Sequence, residues 1–284
     1  MKKIFNLKDV AILMATYNGE KYLEEQIESI LSQTDNNWAL YIQDDGSTDN
    51  TLEIIKRYID NKRIFLVDIG LTHQGACMNF MTLLNHIESK YYMFCDQDDV
   101  WLPNKVLLSY TKIKDLENET EMKPILVHTD KKRVDNKLNV ILESELNRKN
   151  EPIEKLEILM HERNSLEQLR LGTFIAGCTM CFNHKVKEIS FPFNNSRMQD
   201  SIIAMAVAKN NGVISTIYEP TMLYRIHSTN TCGEAETTIF EKIKHFSRFI
   251  KGNMNMYYLY KIYGGNGFFK FIYLRYRHFK IRGF

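Results

Sequence analysis

Apolar and polar positions change period repeatedly along the first 120 or so residues, and those changes mark out the elements. The run VAILMAT at residues 10–16 is apolar throughout and stops at the turn signal Asn18-Gly19, which reads as a buried strand. Leu23, Ile27, Ile30 and Leu31 follow at helical spacing. Residues 38–44 (WALYIQD), 64–70 (IFLVDIG) and 91–96 (YYMFCD) read as further strands. Between them, helices are predicted around Leu52 and Ile55 and across Phe80, Leu83, Leu84 and Ile87. Pro103 suits the first turn of another helix running toward Glu119. Strands alternating with helices of this length imply a mostly parallel α/β sheet covered on both faces.

Past residue 120 the alternation weakens. Residues 124–135 (PILVHTDKKRVD), 173–182 (TFIAGCTMCF) and 213–220 (VISTIYEP) are strand-like, and 200–211 is helical. No long linker, internal repeat or low-complexity segment interrupts the chain. The division that follows is one α/β domain over residues 1–235 and a C-terminal helical extension over residues 236–284.

Composition changes this picture in three ways. The 284 residues carry 37 Lys/Arg against 35 Asp/Glu, so overall charge gives no sign of nucleic-acid binding. The charge is uneven, however: residues 240–284 hold ten Lys/Arg and fourteen Phe/Tyr against the single acid Glu241, leaving an acidic body. Basic residues interleaved with aromatics suit an anionic membrane surface, or packing on the domain or on a second subunit in a homo-oligomer. Stacking on nucleic acid is the third option, but no nucleic-acid module accompanies the tail. The N-terminal apolar run is broken by Asn6, Lys8 and Asp9, and no window approaches a membrane span, so a cytoplasmic protein is expected. The odd count of five cysteines fits reduced thiols. Cys178 and Cys181 form a CxxC, but strand alternation would point them to opposite faces and no second CxxC exists. Buried core thiols are expected.

The chemistry gathers at strand ends. In an open α/β sheet, ligands bind outside the carboxyl ends of the strands. Here those ends read Thr16-Tyr17-Asn18, then Asp44-Asp45-Gly46-Ser47-Thr48-Asp49, then Asp96-Gln97-Asp98-Asp99. Any one such loop is ordinarily a helix cap or a solvated turn, and residues 47–49 suit a cap for the next helix. Three of them on one rim repel one another unless a cation lies between, and Mg²⁺ or Mn²⁺ with substrate phosphates is the economical candidate.

The order ATYNGEKYL (15–23), DDGSTD (44–49) and DQDD (96–99) resembles the family 2 glycosyltransferases, which have the GT-A fold, over about residues 10–233. FCDQDDVWLPNK, GCTMCFN and YRIHSTN look more narrowly like the bacterial rhamnosyltransferase branch, whose donor is dTDP-L-rhamnose. The resemblance implies an inverting transfer of sugar from a nucleotide diphosphate onto a lipid-linked or growing polysaccharide acceptor. It implies that Ala15, Thr16 and Tyr17 line the nucleotide pocket, with Asp44, beside Asp45, accepting the imide N–H of the base. Asp96 would lie near ribose and metal, Asp98 would ligate the metal, and Asp99 would face the donor sugar or acceptor. Asp200, in MQDSI, would be the catalytic base, with Gln199 where many members have Glu or His. Arg225 and His227, in Tyr-Arg-Ile-His, would lie near the diphosphate, His227 also at the metal. The weaker candidates His73 and Asn79 flank Gly75. The implied location is the cytoplasm, with peripheral contact at the inner face of the plasma membrane. A UDP-hexose or UDP-N-acetylhexosamine donor is the alternative, since Asp44 would recognise either pyrimidine. A nucleotide-sugar-binding protein without catalysis is the second, against which Asp98 and Asp200 argue.

Overall fold

The computed structural model describes residues 3–5, 8–121, 123–193, 197–227, 254, 256–262 and 264–282. Residues 228–253 lie outside the described residues, so the expectations placed there are neither met nor overturned. The chain divides into two compact units, one formed by Met1–Glu151 with Ile175–Arg225 and the other by the described residues of Pro152–Phe174 with Ile226–Phe284.

The first unit alternates strands and helices: β1 Ile4–Phe5, β2 Val10–Thr16, α1 Leu23–Leu31, β3 Trp38–Asp44, α2 Thr51–Lys56, β4 Ile64–Leu66, α3 Ala76–His86, β5 Ile87–Glu88, β6 Tyr91–Cys95 and β7 Val100–Trp101. Then come α4 Lys105–Glu119, β8 Ile125–Val134, β9 Val140–Leu142, a 3₁₀ turn Gly177–Thr179, β10 Met180–Asn183, α7 His184–Ile189, α8 Gln199–Lys209 and β11 Val213–Arg225. In the second unit lie α5 Ile153–Arg163, α6 Leu166–Leu169 and α9 Phe268–Arg282. The label α9 follows α8 in this numbering.

The main sheet runs β4-β3-β2-β6-β10-β8-β11-β7, with β9 paired to β8. From β4 to β6 every pairing is parallel, as the alternating pattern predicts. Strand β10 then enters antiparallel to both β6 and β8, while β8 and β11 pair in parallel. The sheet is therefore mixed: the parallel run from β4 to β6 comes from the first half of the chain, and a second parallel pair, β8 with β11, follows beyond the reversed strand β10.

Burial on both faces explains why β2, β3 and β6 read as continuous apolar runs rather than alternating ones. Ile12 and Met14 of β2 share a core with Leu23, Ile27 and Ile30 of α1 and with Val106 and Ile113 of α4. On the other face Phe94 of β6 meets Phe80 of α3, ring centroids 5.1 Å apart. The predicted strand at 64–70 closes early, at Leu66. The predicted strand at 213–220 instead runs on through Pro220 to Arg225. A proline is tolerated there because the β8–β11 register shifts on either side of it, so the missing N–H falls at an irregularity.

The stretch at 173–182 is only partly strand. Residues 177–179 form a 3₁₀ turn and the strand starts at Met180, so strand alternation does not apply to Cys178. Both Cys178 and Cys181 are buried and unpaired, and both lie in the same apolar core.

The secondary structure of the second unit is helical among its described residues, 256–262 included, with turns and irregular segments between the helices. Leu171, Tyr260, Phe271 and Leu274 form its apolar centre. Arg277–Glu162 and Lys270–Glu167 ion pairs fasten α9 to α5 and α6. Phe269, Ile272, Tyr273 and Tyr276 recur at helical spacing on α9 and are exposed. No helix among the described residues is long and apolar enough to cross a membrane.

Candidate active site

Parallel pairing sets Thr16 beside Asp44 and Met14 beside Cys95, so the loops after β2, β3 and β6 leave the sheet on one rim. Two features add to it from the second half of the chain. Because β10 runs against its neighbours, the turn that precedes it, Gly177–Thr179, arrives at this rim rather than at the far edge. Helix α8, which leads back into the start of β11, begins there with Asp200.

Hydrogen bonds lock the three loops together. Thr16 Oγ1 donates to Asp44 Oδ1 (2.9 Å), as does Ser47 Oγ (2.6 Å), while Asp44 Oδ2 accepts from the N–H groups of Gly46 (3.0 Å) and Ser47 (2.7 Å). Asp45 accepts from Gln74 N and Gly75 N in the loop that enters α3 (2.9 and 2.8 Å). Asp49 accepts from Thr51 N (3.0 Å) and Glu20 N (3.1 Å), so a cap at 47–49 is formed at the start of α2. Gln97 joins the loops after β2 and β6 by a reciprocal pair with the Tyr17 backbone, accepting at 2.9 Å and donating at 3.0 Å. Gly19 permits this approach, because a Cβ at that position would sit 2.4 Å from Gln97 Oε1. Tyr17 is half exposed, with His73 edge-on to it at a 6.2 Å ring separation.

The acidic loop itself is buried charge. Burial, and next the charge of Asp98, push the Asp96 carboxyl up to about 6 against a hydrogen bond from the Cys178 thiol. Asp99 is fully buried and is held well above the usual carboxylate range by burial, then by Asp96 and Asp98. Its Oδ1 accepts from Arg225 N (3.1 Å), whereas its Oδ2 has no hydrogen-bond partner among the described residues. Two carboxyls with raised proton affinity, Asp96 and Asp99, next to a third acid at Asp98 and with an orphan oxygen, fit a divalent cation: with such an ion present the repulsion becomes coordination. Ligand atoms of Asp96, Asp99 and Cys178 lie within 4.8 Å of one another. Asp98 is half-buried between Asp96 and Asp99.

Asp200 is pushed up to about 6 by burial, opposed by hydrogen bonds from Ser201 and from the Gly177 N–H and by the charge of Lys131. The same lysine lowers Asp96 and Asp99, with its Nζ 3.6 Å from the Tyr224 ring centroid. Lys131 is therefore a fixed positive charge facing all three carboxyls.

The two remaining candidates are placed differently from one another. Arg225 is 2% exposed; its Nε donates to Asp98 O (2.9 Å), its Nη1 to Asn136 O (3.1 Å), and its Nη2 pairs with Glu25. The expectation set this guanidinium at a diphosphate, but here it faces protein partners and holds the acidic loop from below. His227 lies two residues past β11 and falls in the second unit. Asn79 is buried in α3 with its amide on Gln43 O, a packing role.

Two site residues were missed from sequence. Gln97 was passed over between two aspartates. Lys131 sat in the charged run KKR, where nothing marks which lysine faces inward. Cys178 is a buried core thiol, as expected, and its sulfur also lies near the Asp96 and Asp99 carboxylates.

The sequence matches the family model for glycosyl transferase family 2 over residues 11–189. It is 38% identical over 98 residues to dTDP-rhamnosyl transferase RfbG of Shigella flexneri, 33% of this chain and 34% of that protein. The match thus spans about a third of that relative's length. The structure resembles S. aureus TarS 1–349 in complex with UDP-GlcNAc (TM-score 0.56, 18% identity, 81% of this chain and 62% of that one). It also resembles the mannosyltransferase PcManGT of Pyrobaculum calidifontis in complex with GDP-Man and Mn²⁺ (TM-score 0.56, 15% identity, 78% and 58%). At these identities the two structures speak to the fold alone, which is the one expected.

Proposed function

The chain belongs to glycosyl transferase family 2, and from that premise we propose an inverting transferase that moves a sugar from a pyrimidine nucleotide diphosphate to a hydroxyl of a surface-glycan acceptor. The observation that carries this is the pairing, on one rim, of a buried acidic loop with a separately positioned carboxyl, Asp200, raised to about 6.

In this reading Asp96 and Asp98 hold a Mg²⁺ or Mn²⁺ ion. The ion supplies charge neutralisation for the departing diphosphate. Ala15, Thr16 and Tyr17 line the nucleotide pocket, Tyr17 with its exposed ring. Asp44 accepts the base imide; the Ser47 hydroxyl, a free rotor, is the easiest of its four donors to turn away. Asp45 supports the pocket by holding the entry to α3. Asp99, expected to face the donor sugar or acceptor, is fully buried instead, and Arg225 fixes the loop through the Asp99 carboxyl and the Asp98 carbonyl. Asp200 takes the acceptor hydroxyl proton as that oxygen attacks the anomeric carbon, a role worth about 10²–10⁴ in rate. Lys131 keeps Asp200 ionised near neutrality.

dTDP-L-rhamnose is the donor we favour, on the likeness to the Shigella flexneri enzyme. A UDP-hexose or UDP-N-acetylhexosamine is the second reading, since Asp44 would accept the imide N–H of either pyrimidine. We place the protein in the cytoplasm, at the inner face of the plasma membrane. The exposed aromatic stripe of α9 and the basic tail would meet anionic lipid there.

Asp200→Asn tests the mechanism. Transfer should fall about 10²–10⁴-fold while donor affinity, measured by calorimetry with Mn²⁺, stays within about twofold. Turnover near wild type would remove Asp200 from the base role. Thermal-shift screening against dTDP- and UDP-sugars decides the donor.

A further inference from the structure

We propose that Cys178 Sγ, with the carboxylates of Asp96 and Asp99, forms a mixed sulfur–oxygen site for a thiophilic divalent cation such as Zn²⁺ or Cd²⁺. Ligand atoms from all three lie within 4.8 Å of one another. A tetrahedral ion with oxygen ligands near 2.1 Å and sulfur near 2.3 Å needs separations of about 3.5 Å, so side-chain adjustment alone closes the set. Cys178 and Asp99 are 1% and 0% exposed, and the second oxygen of Asp99 has no hydrogen-bond partner among the described residues. A carboxylate oxygen buried without a donor is costly to keep, and a cation is the group that satisfies it.

The thiol reaches this place because residues 177–179 form a 3₁₀ turn ahead of the reversed strand β10. Binding exchanges the thiol proton, and any proton held on the Asp96 and Asp99 carboxyls, for the metal, each ligand atom keeping the electron pair of its broken bond to hydrogen and the protons leaving to buffer. Three protein ligands leave a fourth position open, as in sites that also bind a small anion or water. Mg²⁺, which prefers oxygen, gains nothing from the sulfur.

The inference rests on this rim being a metal site, as in the proposed function, but not on the donor or on transfer. Its test is Cd²⁺ titration of the full-length chain in thiol-free buffer, following thiolate-to-metal charge-transfer absorption in the ultraviolet and proton release. We expect a saturable band near one equivalent, no band with Mg²⁺, and at least tenfold weaker affinity in Cys178→Ser. Cys181→Ser, which removes a neighbouring buried thiol, should titrate like wild type. X-ray absorption on the Cd²⁺-loaded wild type should find one sulfur in the coordination shell, a reading that needs no variant to fold. An unchanged band in Cys178→Ser, or a shell without sulfur, overturns the proposal. Mn²⁺-dependent sugar transfer would be unaffected as a finding by either result, and absent transfer would leave the sulfur band in place.

Discussion

Burial at the start of α8 raises the Asp200 carboxyl to about 6, and that fixes the pH range in which it accepts a proton. A base works ionised, so kcat/KM should be level above neutrality and fall as pH drops through about 6. Asp200→Asn should abolish that limb of the profile along with the rate. A limb that persists unchanged in the variant would belong to another group. Removing the nearby cation has a definite sign as well. Lys131 favours the ionised carboxyl, so Lys131→Met should move the limb upward in pH, read from the same kcat/KM profile; a downward or absent shift would refute the placement of its charge.

At the scale of elements, two glycines show how closely the pieces meet. Gly19 leaves room for Gln97 between the loops after β2 and β6, and a Cβ there would fall 2.4 Å from the Gln97 carbonyl oxygen. Gly19→Ala should cost about 1–3 kcal/mol in urea unfolding and weaken donor binding, since the displaced Gln97 no longer holds Tyr17. Gly212, between α8 and β11, has the Pro124 carbonyl 2.6 Å from where its Cβ would be. Backbone there cannot yield, so alanine should destabilise without touching donor affinity directly. Equal donor affinities in the two variants, at matched folded fraction, would separate Gln97 from the nucleotide pocket. Strands β2, β3 and β6 were legible in sequence because burial on both faces leaves an unbroken apolar run. Their polar ends were legible because nothing else explains acids there. Orientation was not. Residues 173–182 look like one apolar strand, yet only Met180–Asn183 pairs, and no local pattern announces that it runs backwards between two strands formed earlier in the chain. Lys131 was missed for this reason: it depends on long-range pairing that brings it to the rim.

For the whole molecule, the acidic rim couples stability to pH and to metal. Asp96 and Asp99 have raised proton affinity when folded, so between the ordinary carboxylate range and their folded values the native state binds more protons than the unfolded chain. Stability from these groups therefore falls as pH rises through that window, and a divalent cation reverses the loss. Saturating Mn²⁺ should raise the melting temperature more near pH 7.5 than near pH 5, measured by calorimetry, and an equal gain at both would argue against these carboxylates as ligands. Truncation of residues 240–284 should release the protein from anionic vesicles, whereas full-length protein that never sediments with them would end the membrane proposal. The reversed strand carries one more consequence, for synthesis. Strands β6 and β8 leave the ribosome with the edges that β10 will fill still open. About 45 further residues must be made before β10 emerges, a few seconds at roughly 5–20 residues per second. During that interval two apolar strands present unpaired edges to any other nascent chain, so the time spent half-made, more than the finished fold, sets how readily this protein aggregates when it is produced quickly.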